Sequence, residues 1–311
     1  MYRGMEKDLI IFDWLSFTSK HHSPAQLVKA LGLEHVPWET IKGARGYRDR
    51  LYFSSISIHF NGRADMGVWV EMSGQGCRTF ESLTTLGDCW QDIFWFVFKE
   101  DLKVTRLDVA YDDHTGLLDM DTMERDTKHE YFVSKFDWWT VTYGSPGTTL
   151  MFGSPQSDLR IRIYDKARER NCEAGTHWIR IEIQMRDSRA KKFLELEFEH
   201  QMGDAFCGVL LNYLRYVEPD PLDTNRWRWP LKEYWGELLC GASRISIYEK
   251  PGMEYNLDRC HNYVINMAGN ALEALMKIYG EEGFKQALKE RSTRRNPKYD
   301  QLVAQCEAMK I

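Results

Sequence analysis

No apolar run in this 311-residue chain approaches the roughly 18 residues that a membrane-spanning helix requires. The amino terminus places Glu6, Lys7 and Asp8 ahead of the apolar stretch LIIF, which is not the pattern of a secretory signal. A cytoplasmic protein without a membrane partner is expected. Cysteine is sparse: seven residues, Cys77, Cys89, Cys172, Cys207, Cys240, Cys260 and Cys306, lie far apart and never form a C-x-x-C pair. Their odd number and wide spacing speak against a disulfide framework and a cysteine zinc site, and leave reduced thiols. No internal repeat or low-complexity tract is evident in the sequence. Positive charge is short as well, with a formal net charge of −5 that, spread evenly, would argue against a nucleic-acid partner.

The charge is not spread evenly. Between Arg160 and Lys192 ten Lys or Arg face five acids, between Lys285 and Lys298 six cations face one Glu, and the remainder carries −15. Two basic islands thus sit in an acidic body. For the C-terminal island a solvated polar face is an equally simple reading. Aromatic residues are plentiful, with 11 Trp, 15 Tyr and 15 Phe. Most should be core, though such rings also make stacking surfaces for bases.

Alternating patterns dominate the first two thirds. Residues 9–19, 50–60, 66–74, 105–113, 158–166 and 177–186 read as strands, and residues 23–32, 79–98 and 187–201 have helical spacing with Ser, Thr or Asp caps. Strands and helices are interspersed without strict alternation. The expected class is therefore α+β: a largely antiparallel curved sheet or sheets with helices on one face, plus a helical C-terminal part. The loop VEPDPLDTNRWRWP, with Pro219, Pro221 and Pro230, divides the chain into residues 1–218 and residues 219–311. Beyond it, LKEYWGELLCGA and a long segment from Asn256 read as helices, the latter with a break at Gly280.

Each strand separates an apolar from a polar side, because successive side chains point to opposite faces. In RLDVAYDD, Arg106, Asp108 and Asp112 oppose Leu107, Val109 and Tyr111; in HWIRIEIQMR, Arg180, Glu182, Gln184 and Arg186 oppose Ile179, Ile181, Ile183 and Met185. MGVWVEMSG sets Trp69 and Glu71 against Val68, Val70 and Met72, while DLRIRIYDK puts Arg160, Arg162, Tyr164 and Lys166 in one row. One reading of the polar sides is an ordinary wet face with weak cross-strand ion pairs. The other is chemical. Carboxylates from two or three adjacent strands make a hard oxygen site suited to Mg²⁺ or Mn²⁺, which can polarise a phosphodiester. A tyrosine beside it is a candidate nucleophile, yet with a solution pKa of about 10 only about 0.1% is phenolate at pH 7. Lowering that pKa by roughly three units requires about 4 kcal/mol of preferential stabilisation of the anion, within reach of a metal and nearby cations.

GVWVEMSGQGCRTFE, RLDVAYDD, TTLMFGSPQSDLRIRIYDKARE, WIRIEIQMRD and LKEYWGELLCG, in this order, resemble the Rep_trans family. That group includes rolling-circle replication initiators of plasmids, relaxases of integrative elements and replication proteins of some filamentous phages. The similarity runs from about residue 8 to about residue 250. It implies a DNA nickase and strand transferase whose tyrosine attacks a hairpin origin, leaves a 5′ phosphotyrosine and a free 3′ hydroxyl, and later rejoins the strand. By motif the nucleophile falls on Tyr164, with Lys166 assisting; Asp108 and Glu182 would hold Mg²⁺ or Mn²⁺, and Glu71 matches a family motif as a ligand or a structural residue. DNA contacts are expected from Arg160, Arg162 and Arg180, and from Arg291, Arg294 and Arg295 of the C-terminal island.

Other nicking enzymes use a His-hydrophobic-His metal pair, but none of the nine histidines here lies two residues from another, in keeping with a carboxylate site. Some relatives place a helix-turn-helix domain before the catalytic part; here the first strand pattern begins at residue 9, so origin recognition is expected from the body, the C-terminal helices or a partner. The resemblance also implies single-stranded or hairpin origin DNA, a host helicase and a polymerase as partners, and a homodimer acting on inverted repeats. Two other functions fit the residues: a metal-dependent nuclease whose nucleophile is water, with Tyr164 stacking on a base, and a non-catalytic origin-binding regulator.

Overall fold

The alternation at the start of the chain becomes strand β1 (Ile10–Ser19), which runs through the middle of a ten-stranded sheet in the computed structural model. The structure describes residues 10–145, 147–199, 202–239, 241–247, 264 and 269–290. After β1 come helix α1 (Pro24–Ala30) and strands β2 (Glu39–Lys42), β3 (Asp49–Phe53), β4 (Ile56–Phe60) and β5 (Val68–Ser73). Helices α2 (Gly74–Leu83) and α3 (Cys89–Lys99) follow, then strand β6 (Lys103–Asp113), helix α4 (Met120–Lys128) and strands β7 (Phe132–Ser134), β8 (Trp139–Gly144), β9 (Gly147–Phe152) and β10 (Leu159–Asp165). Next are a single turn, α5 (Lys166–Glu169), strand β11 (Ile179–Arg186), helices α6 (Asp187–Glu199) and α7 (Met202–Tyr213), strand β12 (Leu214–Tyr216) and helix α8 (Glu233–Leu239).

The sheet order is β2-β3-β4-β5-β1-β6-β11-β10-β9-β8, with antiparallel pairing throughout, and β7 pairs with β12 in a separate ribbon. This is the expected α+β architecture. Both halves of the large sheet are assembled the same way. A long strand leads to a helix, then to a four-strand meander whose last strand returns beside the long one, then to a second helix. In the first half these are β1, α1, β2 to β5 and α2; in the second they are β6, α4, β8 to β11 and α6.

The apolar side of the sheet and the helices form one core. Phe12, Leu15 and Phe17 of β1, Leu107 and Val109 of β6, and Ile181 and Ile183 of β11 are fully buried there with Phe80 of α2, Phe94 of α3, Phe193 of α6 and Phe206 of α7. The Phe12 ring meets Phe94 edge-on at 4.9 Å. Removing these side chains from water is the main stabilising term, and it fixes register, because a one-residue slip would turn the whole set outward. The first helix carries its signal in the sequence: Ser23 and Gln26 make a reciprocal capping box, with Pro24 in the first turn.

Two segments read as single elements are each two. Residues 50–60 are a hairpin rather than one strand, since Ser54 and Ser55 both adopt left-handed conformations (φ 41° and 68°) and Phe53 pairs with Ile56. A two-residue turn with positive φ at both positions suits the strand twist, and serine is an unusual residue for it. Residues 79–98 are two helices rather than one: α2 stops at Thr84, which has extended backbone, and Asp88 caps α3 by accepting from the Gln91 N–H.

The SGQG stretch after β5 is explained by close approach. A Cβ at Gly76 would lie 2.3 Å from the Ser55 carbonyl oxygen, so α2 can seat on the hairpin turn only with glycine there. We expect Gly76→Ala to lower stability by about 1–3 kcal/mol through forced displacement of backbone, read as an earlier urea midpoint with an unchanged slope.

The chain divides into two compact units, residues 1–248 and 249–311. In the second, the described helix α9 (Gly269–Glu290) bends at Gly280, whose backbone is left-handed (φ 69°), at the position where the sequence indicates a break. No helix among the described residues is long and apolar enough to cross a membrane.

Candidate active site

Strands β6, β11 and β10 are consecutive in the sheet, so the three patterns that carried the acids and the tyrosine lie side by side. Register sets Gln184 opposite Asp108, Glu182 opposite Ala110 and Arg162, and Arg180 opposite both Asp112 and Tyr164. All these side chains stand on the face away from the helices. Asp108 and Glu182 are diagonal neighbours across β6 and β11, and both are buried, at 2% and 3% exposure.

Each acid has its own arginine. Arg106 donates from Nε to Oδ1 of Asp108 at 2.9 Å and from Nη2 to Oδ2 at 2.5 Å, with its guanidinium stacked 3.9 Å from the centre of the Trp14 ring. Arg162 donates from Nη1 to Oε1 of Glu182 at 3.1 Å. The other oxygen of Glu182, Oε2, accepts from the Tyr164 hydroxyl at 3.2 Å, and Lys166 Nζ approaches that hydroxyl at 3.4 Å. Arg162 and Lys166 also lie against the tyrosine ring, at 4.9 and 5.4 Å from its centroid. Lys166 is not the next residue of the strand: β10 ends at Asp165, which caps α5 through the Arg168 N–H, and the turn brings the buried ammonium back to Tyr164 and into an ion pair with Glu169.

Burial holds the Asp108 carboxyl well above the usual carboxylate range, and the nearby Glu182 charge adds to the effect against the hydrogen bonds from Arg106. Burial also raises the Tyr164 phenol, and Glu182 raises it further, outweighing Arg180 and Arg162. The nearby cations by themselves do not lower this pKa: Tyr164 is 5% exposed and its hydroxyl faces a carboxylate, and both effects disfavour phenolate.

The model of the Rep_trans family, described as replication initiation factor, matches residues 102–291, and that of a rolling circle replication initiation protein N-terminal domain matches residues 9–96. The chain belongs to the Rep_trans family. It is 25% identical over 293 residues to "Putative DNA relaxase NicK" of Bacillus subtilis (strain 168), an alignment covering 88% of this chain and 83% of that protein. Among solved structures, a rolling circle replication initiator protein from Geobacillus stearothermophilus superposes with a TM-score of 0.69 at 29% identity, covering 77% of this chain and 99% of that one.

In this Rep_trans chain Arg180 is occupied. It is 3% exposed, makes two hydrogen bonds of 2.6 Å to Asp112 and lies at ion-pair distance, 2.8 Å, from Asp13. A phosphate contact from it would first have to break this buried clamp. Asp13 reaches Arg180 because the β1–β6 register shifts between Phe12 and Trp14, a bulge that no residue type announces. Arg160 is different: among the described residues its Nη2 meets the Met151 sulfur, at 3.5 Å, and burial together with Arg162, Arg186 and Arg106 pulls its pKa down against the opposing charge of Glu182. Arg291, Arg294 and Arg295 lie outside the described residues.

Glu71 does not join the two acids. It pairs in register with Ser16 of β1 and Ser57 of β4 and faces Arg45, whose Nη2 is 3.9 Å away. Among the described residues no three His, Cys, Asp or Glu side chains come together as a metal-ligand group. The pair Asp108 and Glu182 nonetheless has the chemistry of a hard-cation site: two buried carboxylates, the charge of Glu182 adding to the cost of ionising Asp108, which a divalent ion would relieve.

Beside Glu71, His59 stacks on Trp69 at 4.6 Å, and neither ring nitrogen has a hydrogen-bond partner among the described residues. Burial, then Arg50 and Arg45, lower its pKa to about 4. An unfolded histidine binds its proton near pH 6.5, so from there down to about pH 4 the unfolded chain holds more protons and folding stability falls with pH. We expect His59→Phe to flatten that part of the acid limb, measured as the difference between urea midpoints at pH 7.5 and pH 4.5.

Proposed function

We propose that this member of the replication-initiator and relaxase family nicks one strand of origin DNA with Tyr164 as nucleophile and later rejoins it. The observation that carries the reading is the Tyr164 hydroxyl hydrogen-bonded to Glu182, which lies diagonal to Asp108 on a face edged by arginines. With its pKa raised, the phenol is protonated at neutral pH. Its proton must leave as the O–P bond forms, and Glu182 Oε2 is already placed to accept it. Lys166 stabilises the charge that develops on Oη, and the 3′ oxygen departs with the electron pair of its bond to phosphorus and takes a proton from solvent, leaving a free 3′ hydroxyl and a 5′ phosphotyrosine.

Asp108 and Glu182 would hold Mg²⁺ or Mn²⁺, whose contribution when bound is to polarise the phosphodiester. Arg160 and Arg162 contact backbone phosphates flanking the scissile bond, while Arg180 serves the fold. Residues 1–218 would carry the chemistry, and residues 219–311, with Arg291, Arg294 and Arg295, would contribute DNA or dimer contacts. A host helicase and a polymerase would extend the free 3′ end.

The raised pKa of Tyr164 favours one competing mechanism, in which water attacks and the tyrosine stacks on a base. Incubating the full chain with a library of single-stranded hairpins and Mg²⁺ or Mn²⁺, followed by peptide mass spectrometry, separates the two. A nucleotide adduct on Tyr164 supports the proposal; cleavage without adduct assigns water; binding without cleavage in any metal assigns a regulator. EDTA should abolish cleavage and either ion restore it, and full cleavage in EDTA would remove Asp108 and Glu182 from their proposed role.

A further inference from the structure

On the same face, one strand beyond Asp108, β1 and β5 frame a cavity of about 420 Å³. That is within the range of roughly 300–1,000 Å³ typical of small-ligand pockets. Its walls are aromatic and cationic: Trp14, Tyr47 and Trp69, with Arg45 and Arg106. Trp69 is held by the His59 ring stacked on it, and Arg45 lies 5.0 Å from the Trp69 ring centre. Among these cations stands one acid, Glu71. Its Oε2 is buried and accepts no hydrogen bond among the described residues, although Arg45 is near enough for a long ion pair. Trp14 Nε1 is likewise buried without a hydrogen-bond partner among the described residues. Polar atoms left this way usually have a partner that is missing from the structure, because burying them unpaired is costly.

We propose that this cavity receives one unpaired base of the DNA strand and prefers guanine. Flat aromatic walls stack any base, and the arginines draw in its phosphate. The choice falls to Glu71. A carboxylate is acceptor-only, and guanine alone among the four bases offers two adjacent donors, N1–H and N2–H, on its Watson–Crick edge. Thymine flanks a single N3–H donor with two carbonyls, which an acidic wall repels. Arg106 couples the cavity to the site, since the same guanidinium packs on Trp14 and holds Asp108. A base seated here would set which phosphate lies over Tyr164.

The inference rests on the proposed function only in taking single-stranded DNA as the ligand, and its test reads binding rather than cleavage. Fluorescein-labelled 15-mers of thymidine carrying one central dG, dI, dA or dC are titrated with the full chain in EDTA, followed by anisotropy. The dG strand should bind at least about five-fold more tightly than the dA and dC strands, with dI between them because it lacks the N2 amine. Glu71→Gln should bring all four within two-fold of one another without weakening the all-thymidine strand more than two-fold. Trp69→Ala should weaken every strand by about five-fold or more. Equal binding of the four strands by the wild type, or a dG preference that survives Glu71→Gln, overturns the proposal. So does an effect of Glu71→Gln confined to the metal dependence of cleavage. Loss of the Tyr164 adduct alone leaves it standing.

Discussion

Replacing Tyr164 with Phe is expected to abolish nicking of a supercoiled origin plasmid, a loss of at least about 10³-fold, while DNA binding changes less than two-fold. The substitution removes one atom. Phe fills the same space against Arg162 and Lys166, and Glu182 keeps its hydrogen bond from Arg162. The lost Tyr164–Glu182 hydrogen bond is a neutral donor on a carboxylate, worth about 1–3 kcal/mol, so the fold persists and the defect is chemical. Glu182→Gln should also slow nicking, because the proton acceptor is gone, yet it keeps the nucleophile and so leaves a slow, pH-dependent adduct. A Tyr164→Phe protein that nicks at the wild-type rate would remove the residue from the chemistry.

The second large effect is on stability. Arg180→Met should destabilise the chain by about 3–5 kcal/mol, because it strands Asp112 and Asp13 beside an apolar side chain in a largely buried clamp. Urea denaturation reads the loss directly. Adding Asp112→Asn should restore part of it, since one of the uncompensated charges goes with the partner, and that coupling separates a clamp from a packing defect. If Arg180→Met instead left stability intact and weakened DNA binding, Arg180 would be a phosphate contact after all.

Much of this site was legible because it is written in period two. Arg106 and Asp108, Glu182 and Gln184, and Arg162 and Tyr164 alternate with aliphatic residues, and with the apolar side buried their own side is determined. Tertiary events were not legible. The bulge at Asp13 swings that acid toward Arg180 and sets Trp14 opposite Asp108, yet the local sequence FDWL reads as plain strand. For Glu71 the sequence does not choose between ligand and structural residue, because alternation gives a face and not a position along the sheet; β1 lies between it and β6. The sign of the Tyr164 shift was hidden for a similar reason. Counting nearby cations says nothing about desolvation or about which carboxylate the hydroxyl will meet.

The position of β1 has a consequence for synthesis. Strand β1 leaves the ribosome before β2 to β12 yet is one of the two at the centre of the sheet, and its partner β6 starts at Lys103. Until then one hydrogen-bonding edge of β1 is open to any other strand, the kind of edge that seeds association between nascent chains. The meander β2 to β5 can close the opposite edge early, giving a half-sheet that already holds most of the Trp69 cavity but no tyrosine. A ribosome that stops before Tyr164 would therefore release a chain with most of that cavity but without Tyr164, Lys166 or Glu182.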